Sequence, residues 1–470
     1  LTWADVTIPP AGNTVDLVAD GAIAAGKPCI IKSNGKAAQI GEQLNARNSP
    51  NQTSTQNVTA HSGERHCHIV YDPNNDYAVL LVSESGADLD VQCLNISNVH
   101  YNVTGTTGSR STIVNDSDEI SACWDSTNNK IVVAYKDTND NGKGKIIIGT
   151  FSSASSTTWT SSTTFDSDTS ENIQITYDPA GEKFLISYRT TAGGSTWRGA
   201  CRVMTLDSSG NISIGTRHQY NGTSNSLWAR TTNISSNLFA IQYGDGGNSW
   251  YPTVKTATIS GTNISFGNAA ILSSNAVSGH GYGGDMDISY DTENQKLIGA
   301  FIRQNDSTTV WARVGSLSGT SISWDAAEVR VTTGGEPVEH IRVAYDPGGK
   351  KTWMWYIRDE GAANDVLFAG ELHYKSSATN KLEYDNHGSY NTNPNDLDQM
   401  GDVTFQGTRG KALIPVNNSS DTSSSYIYSH VVADVSTNLT THNPIGFAPS
   451  AINDGATGTI NCDGNTVTTS

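Results

Sequence analysis

Trp124-Asp125-Ser126-Thr127-Asn128-Asn129-Lys130-Ile131-Val132-Val133-Ala134-Tyr135 is the stretch whose reading decides the fold. It is an aromatic residue, an Asp, four turn-forming residues, a Lys, and an apolar run closed by an aromatic. The same phrase returns at Tyr71-Asp72, Tyr177-Asp178, Tyr290-Asp291 and Tyr345-Asp346. Worn copies at Thr231-Thr232 and Phe405-Gln406 fill the gaps, with steps of 53 to 60 residues between successive copies. Lys stands five residues after the Asp position at Lys130, Lys183, Lys296, Lys351 and Lys411, and Tyr135, Tyr188, Phe301 and Tyr356 stand five further on. A fixed period of this length announces a repeat architecture.

A second phrase recurs out of phase with the first. It reads Gly-Asn-Ile-Ser-Ile-Gly at 210–215, Gly-Thr-Asn-Ile-Ser-Phe-Gly at 261–267 and Gly-Thr-Ser-Ile-Ser-Trp-Asp at 319–325, with looser copies around Tyr101, Trp159 and Tyr384. Each unit then reads as four short strands. In the second unit these are Glu119 to Trp124, Lys130 to Tyr135, Lys145 to Thr150, and the stretch around Trp159, with Asp140-Asn141-Gly142 as a hairpin signal. Seven four-stranded units over residues 60–435 predict an all-β, seven-bladed β-propeller. A β-solenoid is the alternative, but its rungs are usually shorter, about 20–30 residues. Residues 37–46 are expected to supply the missing outer strand of the last blade. Residues 1–36 and 436–470 are expected to build a small β module from the two chain ends, the last one incomplete.

Composition agrees with a β repeat. Of 470 residues only 16% are charged, below the ~25% of ordinary domains, and Gly, Ser, Thr and Asn fill the space. The formal charge is −17 and the isoelectric point near 4.9. Nucleic acid is therefore disfavoured as a partner, since that footprint is basic. So is docking on anionic lipid, and no apolar run reaches the ~18 residues of a membrane span. Leu1 to Asp5 does not read as a secretion signal. Cys29, Cys67, Cys93, Cys123, Cys201 and Cys462 are scattered without a CxxC pair, the pattern of buried, reduced thiols rather than of a zinc or disulfide framework.

The quoted phrases resemble those of a family of tail-fibre and virion structural proteins of marine bacteriophages, cyanophages among them. The likeness lies in Tyr-Asp-Pro/Ser-x-x-x-Lys-x-x-x-x-Tyr, in Ser-Gly-Thr-x-Ile-Ser-Phe-Gly at 260–267, and in Ala433-Asp434-Val435. It continues in Asn443-Pro444-Ile445-Gly446-Phe447-Ala448 and Asp454-Gly455-Ala456-Thr457-Gly458. It covers roughly residues 60–460, with units one, four and seven departing from it. It implies a virion location, extracellular attachment to a host surface, other virion or tail proteins as partners, and no catalytic residues. A symmetric homo-oligomer on the particle is expected.

Candidate site residues follow from the first strand of each unit. Four positions before the Asp lie His68, Ser121, Gln174, Trp228, Asp287, Arg342 and Asp402; six before lie His66, Glu119, Asn172, Ser226, Asp285, His340 and Met400. Alternation in a strand puts such positions on one side, and the innermost strand of a blade borders the channel. Two polar rings are thus expected, as a solvated lining or as a holder of water, a cation or a sugar. His66 and His68 share a face, but two ligands do not make a tetrahedral metal site. Asp137-Thr138-Asn139-Asp140-Asn141-Gly142 opens like a calcium loop, yet Ile148 stands where the closing Glu belongs, so a plain turn is expected. No cofactor is called for.

The repeated Asp reads as a turn former and its Lys as an exposed ion-pair partner. Loops rich in aromatic, Ser, Gly and Asn residues read as a recognition surface, with Trp197, Trp250, Tyr251, His280 and Tyr282 as ligand-binding candidates, a glycan being the favoured ligand. Trp197 and Trp250 also read simply as openers of third strands. A glycan-cleaving enzyme is the competing function, with Asp285, Asp287 and Glu119 as the available carboxylates, but no Ser-x-Asp-x-Gly-x-x-Trp box is present. A bacterial surface adhesin is a third reading.

Overall fold

The computed structural model describes residues 14–25, 27–31, 35–40, 42–59, 64–84, 87–95, 108–192, 194–277, 285–332, 337–359, 365–376, 382–389, 397–406, 410–418, 424–437 and 446–461. The chain is all-β with a propeller-like arrangement of sheets. Its one described helix is a single 3-10 turn at Gly246–Asn248, so no helix among the described residues is long and apolar enough to cross a membrane. Two compact units form, Leu1–Asn45 with Asp434–Ser470, and Ala46–Ala433.

The unit of the two chain ends holds one sheet. Its strand order is Thr14–Val18, Thr457–Asn461, Gly446–Phe447, Pro28–Ile31, Ala37–Gln39. Ala19, Ile23, Cys29, Ala37, Ala448, Ile452 and Ile460 form its core. Ala37 and Ala38 are small and buried, and they pair with Ile31 and Ile30. The expected closing strand over 37–46 is therefore shifted. Ala37–Gln39 belongs to this sheet, and the strand beside Ser424–Thr437 is Glu42–Thr59.

In the larger unit the sheets are antiparallel meanders. Ser226–Ser235, Leu238–Asp245, Tyr251–Ser260 and Asn263–Phe266 make one; Met286–Asp291, Lys296–Arg303, Asp306–Ser318 and Ser321–Trp324 make the next. Val338–Asp346, Lys351–Asp359, Asp365–Tyr374 and Leu382–Ser389 make a third. Leu397–Met400 and Thr404–Gln406 precede Lys411–Asn418 and Ser424–Thr437 in another. The strands from Glu64–Asp72 to His218–Asn221 form one twelve-stranded sheet. Two long strands join it into a continuous ladder. Ser111–Asp125 pairs through Ser111–Ser117 with Ala87–Val91 and through Ser117–Asp125 with Lys130–Asp137. Thr163–Asp178 does the same between Lys143–Ile146 and Lys183–Thr190.

The repeated phrase explains the local geometry. Each Asp accepts hydrogen bonds from the turn it opens. Asp125 takes Thr127 N at 3.0 Å and Asn128 N at 3.1 Å; Asp178 takes Ala180 N at 3.1 Å and Gly181 N at 3.0 Å; Asp346 takes Gly348 N and Gly349 N at 2.9 Å. The last turn residue, Asn129, Glu182, Gln295 or Lys350, is left-handed, with φ between 53° and 55°. The apolar run after the Lys is buried on both faces, as in Lys130–Asp137 and Lys183–Thr190, because each sheet packs against neighbours on either side. The Lys does not pair with its Asp as expected. Lys130 donates to Thr150 Oγ1 at 2.9 Å, Lys296 to Ser316 Oγ at 3.0 Å and Lys351 to Glu371 at 2.6 Å, all on the third strand. The Asp oxygens are already taken by backbone N–H groups and, at Asp72, Asp125 and Asp291, by the side-chain amide of a turn Asn.

The second phrase also has a packing reason. Its aromatic lies across a glycine of the third strand. A Cβ added at Gly149 would lie 2.6 Å from the Trp159 ring, at Gly315 2.7 Å from Trp324, and at Gly370 2.4 Å from Tyr384. At Gly199 the added atom would lie 2.1 Å from Tyr220, which is fully buried against Tyr243. Gly199→Ala is expected to cost ~1–3 kcal/mol by overpacking, read as a lower urea midpoint.

Candidate functional site

The first strand of each meander has one edge without a ladder partner in its own sheet, so its backbone groups need others. Polar side chains of the preceding meander supply them. Ile175 N donates to Ser121 Oγ at 3.1 Å, Val343 N to Asp287 Oδ2 at 2.8 Å, and Asn172 N to the Glu119 carboxylate. Polarity on these strands is therefore in part an answer to an unpaired strand edge.

The position four residues before the Asp brings charged groups together. One assignment needs correction. Gln174 pairs with Ser187, and its counterpart in the fourth repeat is Arg230, which pairs with Gln242. Trp228 belongs two positions earlier, beside Glu119, Asn172 and His340. All four are non-glycine residues with positive φ, from 30° to 51°, at bulges of the same strand position. A further irregularity between Asn233 and Ser235 shifts the worn copy by two residues relative to the spacing.

His68, Gln174, Arg230, Asp287, Arg342 and Asp402 thus form a connected layer. Asp402 accepts from Gln174 Nε2 at 3.0 Å and from the Arg230 guanidinium, with Arg342 Nε at 3.3 Å and His68 Nδ1 at 3.8 Å. Arg230 Nε also reaches Asp287 Oδ1 at 3.1 Å. Burial works to raise the Asp402 pKa, but Arg230, His68 and Arg342 outweigh it and hold the carboxyl well below its usual range. Burial lowers Arg342 to about 10, helped by the like charge of Arg230 and opposed by Asp402 and Asp287. Burial lowers His68 to about 4 against the pull of Asp402, and lowers His340 to about 3 with Arg342, His66 and Arg230 adding to the effect.

This layer separates two spaces. On the turn side lies a cavity of about 580 Å³, lined by residues of Glu64–Asp72, Ser111–Asp125, Thr163–Asp178, Ser226–Ser235, Met286–Asp291 and Val338–Asp346 and of the segment 402–405. Its floor carries Gln174, Arg230, Asp287, Arg342 and Asp402; next along each segment come Val70, Cys123, Thr176, Thr232, Ser289, Ala344 and Thr404, and then the rim of Tyr71, Trp124, Tyr177, Tyr290, Tyr345 and Phe405 with the turn residues Ser126, Pro179, Thr292 and Pro347. Most of these aromatic rings also pack into the apolar clusters between sheets, Tyr71, Trp124, Tyr177, Tyr290 and Phe405 among them. On the other side lies a space of about 50 Å³ lined by His66, His68, Glu119, Asn172, Gln174, Trp228, Arg230 and Arg342. Burial raises Glu119 to about 7, opposed by Lys136 and reinforced by Glu171 and Asp118. Asp285, just before Met286–Asp291, and His340, in Val338–Asp346, are buried without lining either space, and Met400 is buried in an apolar cluster.

The loop candidates are half-buried. Trp197 directly precedes the third strand Arg198–Leu206, and the Arg189 guanidinium lies 4.9 Å from its ring centroid. Trp250 has φ +63°, lies against Gly246, and its carbonyl accepts from Val277 N at 3.0 Å. Tyr251 opens the strand Tyr251–Ser260 and pairs with Asp245. His280 and Tyr282 fall outside the described residues.

The calcium-like segment is a turn whose acidic groups face lysines: Lys145 Nζ lies 2.7 Å from Asp137 and 3.0 Å from Asp140, and Lys143 Nζ 2.8 Å from Asp140. Among the described residues no group of three or more His, Cys, Asp or Glu is placed to hold a metal, and no disulfide joins Cys29, Cys67, Cys93, Cys123 and Cys201. Sequence reasoning missed Arg230 and the rim. The rim was visible as the repeated aromatic before the Asp, but spacing alone gave it no direction.

No family model matches the chain, and no curated protein matches it. Solved structures similar to it include a triple arginine-to-alanine mutant of AofleA from Arthrobotrys oligospora, at TM-score 0.41 and 8% identity over 76% of this chain and 94% of that one. A Trypanosoma rangeli sialidase in complex with the inhibitor DANA aligns at TM-score 0.41 and 10% identity over 76% of this chain and 59% of that one. A neuraminidase-like protein from A/bat/Guatemala aligns at TM-score 0.39 and 11% identity over 73% of this chain and 92% of that one.

Proposed function

We propose that this chain is a non-catalytic glycan-recognition protein built as a seven-bladed propeller. The twelve-stranded sheet counts as three blades, because Ser111–Asp125 and Thr163–Asp178 each serve first as an outer and then as an inner strand. With the four following meanders this makes seven, and the chain supplies seven inner segments to one cavity. The observation that carries the recognition reading is that cavity. At about 580 Å³ it falls in the range of small-molecule sites, and it combines an aromatic rim with hydroxyl and charged groups below. Aromatic faces suit the C–H faces of sugars, and the polar floor suits hydroxyls. Presentation on a phage particle for attachment to a bacterial surface, with tail proteins and further copies as partners, rests on the sequence resemblance.

A cleaving enzyme is favoured by one feature, the Glu119 carboxyl held protonated near neutrality, as a general acid requires. It lines only the smaller space of about 50 Å³, which has no room for a sugar ring. Asp287, the other candidate, is engaged by Arg230 Nε, Ile288 N and Val343 N. The test is incubation of the purified chain with bacterial surface polysaccharide, followed by co-sedimentation and mass spectrometry of the supernatant. Retention on the polysaccharide without low-mass product is expected. Release of oligosaccharide that Asp287→Asn or Glu119→Gln abolishes would overturn the non-catalytic reading.

A further inference from the structure

We infer that the large cavity is a dead end that receives the terminal residue of a neutral glycan, end-on. This rests on the recognition reading above and adds how the ligand enters and of what class it is. Asp402, from the seventh repeat, is reached by Gln174 from the third, Arg230 from the fourth, Arg342 from the sixth and His68 from the first. These contacts cross between inner strands and close the floor. Gln174, Arg230 and Arg342 line the cavity on one side and the smaller space on the other, so the side chains themselves are the partition. A polysaccharide cannot thread past it. Only a chain end fits.

The charge of the floor sets the ligand class. Arg230 and Arg342 are matched by Asp287 and Asp402, so the floor carries no surplus charge for a carboxylated or sulfated sugar to neutralise. An anionic group pushed against it would have to break ion pairs already formed in a desolvated layer. The wall gives room because its residues are small. Thr176, Thr232, Ser289 and Thr404 add hydroxyls, and Ala344 and Val70 add none. A neutral, hydroxyl-bearing ring matches that lining.

The experiment uses the full chain on an array of immobilised neutral oligosaccharides and the same oligosaccharides capped by a terminal carboxylated sugar. The methyl glycoside of each bound terminal residue is then added as competitor. Binding is expected only to uncapped glycans, with complete displacement by the matching methyl glycoside. Thr404→Trp, which fills the wall, is expected to weaken binding at least tenfold, and Trp250→Ala to leave it within twofold. Binding that survives capping, resists the methyl glycoside or disappears with Trp250→Ala would place recognition elsewhere and overturn this inference while leaving glycan recognition intact. Absence of binding to every glycan, capped or not, would instead overturn the recognition reading. The competition arm uses the unaltered chain and so stands even if Thr404→Trp fails to fold.

Discussion

Asp402→Ala is expected to destabilise the chain by ~3–5 kcal/mol, the usual cost of leaving buried charges without their partner. The reason is the number of groups that depend on one carboxylate. Arg230 and Arg342 both point to it, Gln174 donates to it at 3.0 Å, and His68 lies 3.8 Å away. Asp287 remains as a counter-charge for Arg230 but has no equivalent contact with Arg342. Arg342 would then stay buried with its like-charged neighbour. Asp402→Asn keeps the shape and one acceptor, and is expected to cost less. Urea denaturation followed by circular dichroism measures both. A control is Asp140→Ala, whose partners Lys143 and Lys145 lie at a partly exposed hairpin where solvent screens the pair, so its loss is expected to leave the urea midpoint nearly unchanged. Equal effects for Asp402→Ala and Asp140→Ala would show that the layer is not a paired unit.

Acidification from pH 6.5 to 4.5 is expected to weaken the fold steeply. His68 is lowered to about 4, and His340 and His430 to about 3, with burial the first cause in each. For His430 the geometry agrees, since Trp355 Nε1–H donates to its Nδ1 at 3.0 Å, which requires that nitrogen to be bare. A folded pKa below the unfolded one means the unfolded chain binds the extra proton. These three groups therefore give their full stability above about 6.5, and it is lost as pH falls toward 4 and 3. Glu119 works oppositely. Its carboxyl is raised to about 7, so its contribution is present below its ordinary pKa of 4.5 and lost as pH rises through 7. Near pH 5.5 the unfolded chain holds about three more histidine protons and about one fewer on Glu119, so stability falls with falling pH there by roughly 2–3 kcal/mol per pH unit, and less steeply toward 6.5 where the unfolded histidines are only half protonated. A urea series across that range reads it directly. His430→Gln is expected to lower the slope by about one proton, and a flat profile would contradict the assignment of three neutral buried histidines.

The repeat and its turns were legible because their cause is local. An Asp that caps its own turn must stand next to it, and the glycine-facing aromatic of the second phrase recurs because each meander repeats one packing contact. What could not be read lies between meanders. The lysines reach the third strand, and Lys183 reaches Asn237 of the next repeat at 2.7 Å, neither of which spacing along one strand reveals. The fourth repeat was misread by two residues because its strand carries irregularities on both sides of Arg230, and no glycine marks the left-handed bulge at Trp228. The partition of the channel was invisible for a related reason. It depends on how far Arg230, Arg342 and Gln174 extend across the axis to Asp402, a property of side-chain length and placement that periodicity does not encode. The closing strand was expected over 37–46, but Ala37 and Ala38 fit the buried partner positions beside Ile30 and Ile31 better than an outer strand.

An experimental density map of the full chain tests the central claim most directly, because one image shows both the ring and its axis. The account predicts seven radial sheets around one axis, with continuous side-chain density from Gln174 through Asp402 and Arg230 to Asp287 closing the channel below a cavity open at the turn side. A water-filled channel running through that layer, or a sheet count other than seven, would contradict it.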